Sequence, residues 1–245
     1  MYIYLDGKDQ KPPNGAGKAN VEIVEKKGYY VVDADKMRIG FLSDKAKELL
    51  QKYDLVIGCD ADEFLVVDPK TGKTLPQYLS QITVKTSVSG LGLDVGQHLE
   101  LEKTLDKSKP FLQQRSYALL STRYTKTSVI SKPVRWGSGF HRIVGRNFYI
   151  DKNLYLLHLG NTDYDALRKR FDERDATNTG WTKHIKKRFR VIEDITNKAC
   201  INGDQVFDKA RKIQSFFRPI YAWNKPSMLG MRWIVQIPDR FKNLV

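Results

Sequence analysis

The spacing of apolar and polar positions changes character along this 245-residue chain. Two early segments, MYIYLD at residues 1–6 and GYYVVDAD at 28–35, are rich in aromatic and β-branched residues and predict strands. PPNGAGK, lying between them, has turn chemistry. Ser43 then predicts the cap of a helix in which Ala46, Leu49, Leu50 and Tyr53 share a face. DLVIGC predicts a third strand, and its lack of alternation suits a strand covered on both sides. Thr74 caps a helix over TLPQYLSQI, with Pro76 in its first turn.

From residue 85 to 160 the pattern predicts strands and loops, ending in NLYLLHL. Beyond Asp163 it becomes helical. Ile185, Phe189, Ile192, Thr196 and Ala199 recur at one helical spacing, and Phe207, Ala210, Ile213 and Phe217 at another. RPIYAWNKPSMLGMRW, aromatic and broken by proline, predicts an irregular packed tail. Strands alternating with helices point to an α/β fold over residues 1–165, and residues 166–245 to a helical extension packed on the same domain.

One stretch breaks the pattern. LVIGCDADEFLVV, residues 55–67, runs from an apolar strand straight into Asp60, Asp62 and Glu63 before the apolar run resumes. Burying unpaired ionised carboxylates costs several kcal/mol each, about enough to forbid the cluster without cations. Strand alternation places Asp60 and Asp62 on one side and Glu63 on the other, where a salt bridge to a basic residue is its expected role. Ligands of α/β sheets bind beyond the carboxyl ends of strands, where this pair falls. Two oxygen donors on one face suit a hard divalent cation. LYLLHL places His158 at the end of another apolar strand, as a packed core histidine or as a third ligand; imidazole beside carboxylates favours Mn²⁺ over Mg²⁺.

Charge narrows the partners. Forty-two Lys and Arg against 28 Asp and Glu give a net +14. Residues 107–150 hold nine Lys/Arg and no acid, and residues 165–190 hold nine against four acids. Such bias points to an anionic ligand or surface. Lys132, Arg135 and Arg142, in the acid-free stretch, are candidates to hold a diphosphate, against the ordinary role of solvated cations. No apolar stretch approaches the ~18–20 residues of a membrane span, and the first ten residues lack a signal-peptide pattern. Cys59 and Cys200 both sit in apolar surroundings and read as two buried thiols of a reducing, cytoplasmic compartment.

YDLVIGCDADEFLVVDP resembles the D-x-D-E-F segment of family 2-like and family 92-like glycosyltransferases with a GT-A fold. The likeness continues through ISKPVRWGSGFHR and LYLLHLGNTDYD, in the order such enzymes carry a lysine–proline segment, a histidine and a strand ending in Leu-His. It covers about residues 1–170. It implies a nucleotide-diphospho-sugar transferase fold, with a mixed central sheet flanked by helices. It also implies transfer of a hexose or pentose from a nucleotide-diphosphate donor, a UDP-sugar on family grounds, to a hydroxyl acceptor such as a glycan. By this resemblance Asp60 and Asp62 bind the metal and the donor nucleotide, and His158 completes a Mn²⁺ (or Mg²⁺) site. Asp6 matches an acidic residue that contacts the base or ribose, and Lys45 a basic position facing the pyrophosphate. One departure is visible: such enzymes open on a strand ending in Asn-Glu, whereas MYIYLDGKDQ resembles their second strand.

An inverting transferase needs a carboxylate to take the acceptor proton. Asp94 in GLGLDVGQHLELE is the first candidate, with Glu100 and Glu102 behind it; without one of these, a retaining mechanism is favoured. WGSGFHR, with two glycines, reads equally as a mobile lid or a simple turn. A metal-dependent nuclease, or another nucleic-acid-binding enzyme, would also use paired carboxylates and a positive charge. Against it, no helix-turn-helix, zinc-finger spacing, RNP signature or phosphate loop is present, and GAGK at 15–18 lacks the flanks of a Walker loop. The leading reading therefore has no nucleic-acid partner. The basic 165–190 helices suit an anionic membrane surface, which is compatible with a peripheral transferase.

Overall fold

The computed structural model describes residues 1–6, 11, 17, 19–24, 31–106, 108–143, 149–172, 181–217 and 226–245. Two strands lie at its centre. SVSGLGLDVG forms β5 (Ser87–Gly96), buried at every position, and IDKNLYLLHLGN forms β8 (Ile150–Asn161), which runs parallel beside it. Leu91 and Leu93 of the first and Leu154, Leu156 and Leu157 of the second are fully buried, as strands covered on both faces require. β4 (Glu63–Val67) pairs antiparallel with the outer edge of β8.

The opposite edge of β5 carries two short partners, β7 (Val129–Ile130) at its start and β6 (Tyr117–Leu120) at its end. β3 (Val56–Ile57) extends the first branch. The second branch continues through β10 (Ile234–Gln236) to β9 (Cys200–Asn202). The fold is thus mixed α/β, as expected, with parallel and antiparallel pairs in one eight-stranded sheet. The C-terminal segment is not helical throughout: its two strands complete that sheet, and Phe241 packs edge-on against Tyr155 with ring centroids 5.1 Å apart. Arg240 locks this end by bidentate bonds to Asp68 (2.7 and 2.9 Å) and to Asp204 (both 2.7 Å).

Helices cover the sheet. α2 (Leu75–Leu79) starts at the expected Thr74, in a capping box with Gln77. α3 (Phe111–Gln114) is a single turn. α4 (Tyr164–Asp172) and α5 (Trp181–Asn197) pack through Leu167, Ile185 and Ile192. α6 (Gly203–Phe216) puts Phe207 and Ala210 into the main core with Tyr155 and Leu157.

The amino-terminal region departs most from the sequence pattern. β1 (Tyr2–Asp6) is a strand, but it pairs in parallel with β2 (Asn20–Val24) in a separate small sheet. Residues 31–35, expected in a strand, open the 19-residue α1 (Val31–Leu49). Ser43, expected as its cap, lies inside it, donating to Ile39 O (2.7 Å) and accepting from Trp136 N–H (3.2 Å). A mid-helix serine commonly bonds back four residues in this way. β3 is only two residues long, and Ile57 is 43 % exposed, so the segment before the carboxylates is a short edge strand and not a doubly covered one. Cys59 is half-buried and Cys200 exposed; both thiols are free, so the expectation of two buried thiols holds for neither.

Candidate functional site

Cross-strand register gathers the chemistry. β4 places Glu63 opposite His158 of β8, and β5 places Asp94 opposite the same His158. Residues in register on adjacent strands share a face, so Glu63, His158 and Asp94 form one row. The ladder continues into the motif, where Leu159 N–H donates to Asp62 O (2.9 Å). Between β3 and β4 the chain turns, closed by Glu63 N–H to Asp60 O (3.0 Å) and Asp60 N–H to Glu63 Oε2 (3.3 Å). Because of that turn, Glu63 does not face away from the aspartates as strand alternation predicts. It lies beside Asp60.

A second segment arrives across β5. The turn at residues 121–126 packs on Gly92, where a Cβ would come within 2.3 Å of Tyr124 C and 2.4 Å of Thr125 N. Only glycine permits that approach, and it delivers Tyr124 and Lys126. Tyr124 stacks on the His158 ring, with centroids 3.8 Å apart and planes 12° from parallel. Lys126, 1 % exposed, has its Nζ 5.6 Å from the centroid of the Tyr124 ring, 3.0 Å from Asp60 Oδ2, and in contact with Glu63 Oε1. Glu63 thus has the salt bridge its sequence context predicts. Its partner is buried, which makes breaking the pair expensive.

The aspartates of the motif have different partners. Asp60 takes Lys126 on one oxygen and Arg38 of α1 on the other (2.9 Å). Burial pushes its carboxyl up, but Lys126 and Arg38 outweigh that and hold it below the usual range. Asp62 Oδ2 lies 3.3 Å from His158 Nε2 and 3.4 Å from Arg188 Nη2 of α5. Burial again opposes ionisation, and His158 with Arg188 brings the Asp62 carboxyl down to about 2. His158 Nδ1 donates to Asp94 Oδ1 at 2.6 Å, and Asn161 donates to the same oxygen at 2.5 Å. Burial lowers the His158 pKa, yet Asp62 and Asp94 together raise it to about 9, so the ring is a cation at neutral pH. Burial pushes Glu63 up against the pull of Lys126.

Among the described residues, no three His, Cys, Asp or Glu side chains converge as a ready metal cage. A smaller donor pair, Asp62 and His158, has the spacing of two adjacent ligands. Two neighbouring ligands of an octahedral ion bound at about 2.1 Å stand about 3 Å apart, close to the 3.3 Å between Asp62 Oδ2 and His158 Nε2. A carboxylate on the far nitrogen, here Asp94, is the usual brace of a ligating histidine. Ligation would require the His158 ring to give up its Nε2 proton.

The other expected residues fall as follows. Asp94 is 5 % exposed and turned inward, so its position serves to orient His158. Glu102 accepts from the backbone N–H of His98 (2.8 Å) and Ser116 (2.6 Å) and shapes a loop. Lys45 pairs with Glu48 (3.3 Å) and Glu22 (3.8 Å), two helical turns from Arg38; the α1 cation that reaches the motif is Arg38. Arg135 pairs with Asp44 (3.3 Å), and Lys132 and Arg142 are exposed. The Asp6 side chain lies outside the described residues, as do three of the four GAGK residues.

WGSGFHR is a packed turn: Trp136 and Phe140 are buried edge to face, and Gly139 (φ 62°) and Phe140 (φ 57°) adopt left-handed conformations. It fixes His141, whose Nδ1 meets Arg123 O at 2.8 Å. Burial, then the charge of Lys126, lowers the His141 pKa to about 4, leaving it neutral.

Sequence reasoning missed Arg38, Lys126 and Arg188. Lys126 had a signal, being the one cation inside the otherwise uncharged run YTKTSVIS of a strand-rich region. No helix of the described residues is long and apolar enough to cross a membrane. Comparison of the chain with protein-family models, curated proteins and solved structures finds no match.

Proposed function

We propose that the chain is a glycosyltransferase that moves a sugar from a nucleotide-diphosphate donor to a hydroxyl acceptor such as a glycan. On the likeness of its D-x-D-E-F segment the donor is a UDP-sugar, bound with Mn²⁺ or Mg²⁺ at Asp62 and His158. The observation that carries this reading is His158. A buried imidazole is braced by Asp94 at 2.6 Å and turns its other nitrogen to a half-exposed aspartate at 3.3 Å, at the carboxyl end of β8. Asp60, on the α1 side of the same turn, is the donor-binding partner of this pair.

In the transfer, the bond between the anomeric carbon and the diphosphate oxygen breaks and the diphosphate leaves with the electron pair. The acceptor oxygen forms the new bond, and its proton passes to the departing diphosphate. A bound divalent ion supplies charge to offset that gathering on the leaving group. The chain's own part is positioning: Asp94 and Tyr124 hold the His158 ring, while Lys126 holds Asp60 and Glu63 in a fixed pair. The exposed cations of α4 and α5, among them Arg168, Lys186 and Arg190, suit an acceptor carried on an anionic membrane surface.

Calorimetric titration of UDP and UDP-sugars, with and without Mn²⁺, tests the reading on the native chain and on Asp62→Ala. Metal-dependent binding that the variant loses is the expected result. Absence of binding to every nucleoside diphosphate, with salt-sensitive DNA binding in its place, would sink the transferase and favour a nuclease.

A further inference from the structure

Acidic residues stop abruptly within α6. Asp204 and Asp208 stand in its first two turns, paired with Arg240 (2.7 Å) and Arg211 (3.2 Å). The next acid along the chain is Asp239, so residues 209–238 hold six Lys/Arg, five aromatic residues and no Asp or Glu. The outer stripe of the helix shows the same change. Gln205, Lys209, Lys212 and Phe216, spaced four, three and four apart, are all exposed on one face. Phe216 is 80 % exposed, and it meets the 37 % exposed Phe217 edge to face with ring centroids 4.9 Å apart. With Lys212, Ile213 and Ser215 the two rings line an open groove of about 540 Å³.

A single exposed apolar side chain is ordinary, but two phenyl rings beside a groove and at the end of a lysine stripe form a patch that calls for a partner. Charge selects which one. A second copy of the chain would bring the same positive face to the contact, and like charges oppose association. A lipid surface of negative charge brings the opposite one. Rings beside lysines also suit a headgroup layer, where the rings sink to the acyl boundary and the long cationic stems keep their charge at the level of the phosphates. The basic helices α4 and α5 lack the apolar half of this combination: none of their described residues is an exposed large hydrophobic. We propose that the C-terminal end of α6 docks the chain on an anionic bilayer, with Phe216 and Phe217 inserted and Lys209 and Lys212 on the headgroups. The docking uses nothing from the carboxylate row, so it stands or falls apart from the donor-site reading.

The test is co-sedimentation of the full chain with vesicles of phosphatidylcholine alone and of phosphatidylcholine mixed with phosphatidylserine. Native protein is compared with Phe216→Ser, Phe216→Trp and Leu101→Ser, the last removing a 66 % exposed apolar side chain from the loop after β5. All four should keep the native circular dichroism, because both altered positions are exposed. The native chain should bind only the vesicles that contain phosphatidylserine. Phe216→Ser should lower that partitioning at least about 10-fold, the effect of withdrawing one buried phenyl group, while Phe216→Trp and Leu101→Ser bind as native. Failure of the native chain to bind phosphatidylserine vesicles overturns the docking. So does a Phe216→Ser variant that binds as native, or a Leu101→Ser variant that loses as much. A native dimer in light scattering that Phe216→Ser converts to monomer would overturn it in favour of a second copy on this face.

Discussion

Raising the pH should unlock the carboxylate row, and the size of the effect follows from one imidazole. His158 is 2 % exposed between Asp62 and Asp94. Burial works against its charge, but the two carboxylates win and raise its pKa from 6.5 to about 9. Between those values the folded chain holds a proton that the unfolded chain has released, so stability must fall as pH rises. The contribution is fully present below pH 6.5 and is lost as pH passes through about 9. At about 1.36 kcal/mol per pK unit the stake is about 3 kcal/mol. For a chain of this length that is about 6–12 °C in melting temperature. The assay is urea or thermal unfolding of the native chain and of His158→Gln, in metal-free buffer from pH 6 to pH 10. The gap between the two should be widest near pH 6 and about 3 kcal/mol smaller by pH 10. Asp94→Asn, which removes one of the two carboxylates, should shrink the pH dependence and shift its midpoint downward. A gap that stays constant or widens with pH would refute the assignment of a charged, doubly paired His158.

Two further substitutions probe the same geometry from other sides. Lys126→Met leaves Asp60 and Glu63 side by side without their buried cation, and should cost about 3–5 kcal/mol in urea unfolding at neutral pH; adding Glu63→Gln should recover part of it, and a fully additive double variant would argue against the pair. Gly160→Ala places a Cβ 2.5 Å from His158 Cε1, 2.7 Å from His158 Nε2 and 2.9 Å from Arg188 Cζ. It should weaken Mn²⁺ binding in the presence of UDP by about 10- to 100-fold while circular dichroism stays native, and an unchanged affinity would separate the donor site from His158.

Only part of the sheet was legible, where burial writes itself as composition. The apolar run NLYLLHL lies within β8, and the Thr74 capping box marks the start of α2 in four residues. Residues 31–35 misled because local propensity competes with context. Val31 and Val32 favour strands, but the following AKELL continues a helical period from α1, and the longer element won. β9 and β10 were hidden for a different reason. Three-residue strands have too few positions to show alternation, and they exist because β6 offers an edge to β10 and β10 in turn offers one to β9. In the site, Asp60, Asp62 and His158 stood out as polar residues at the ends of apolar runs. Their cations did not, since Arg38 and Arg188 are two among 42 basic residues and only tertiary packing selects them.

The row itself explains why three carboxylates follow an apolar strand. A lone Asp-x-Asp in a turn needs nothing from the sheet beneath it. Here the sheet supplies a buried lysine from beyond β6, a histidine from β8 and an aspartate from β5, each placed by register or by the glycine contact at Gly92. A cluster built only for stability would do better with apolar side chains of the same volume, because paired buried charges seldom repay their desolvation. The inner cations Lys126 and His158 hold Glu63, Asp60 and Asp62 in place, and Arg38 and Arg188 complete the pairing of the two aspartates from the rim.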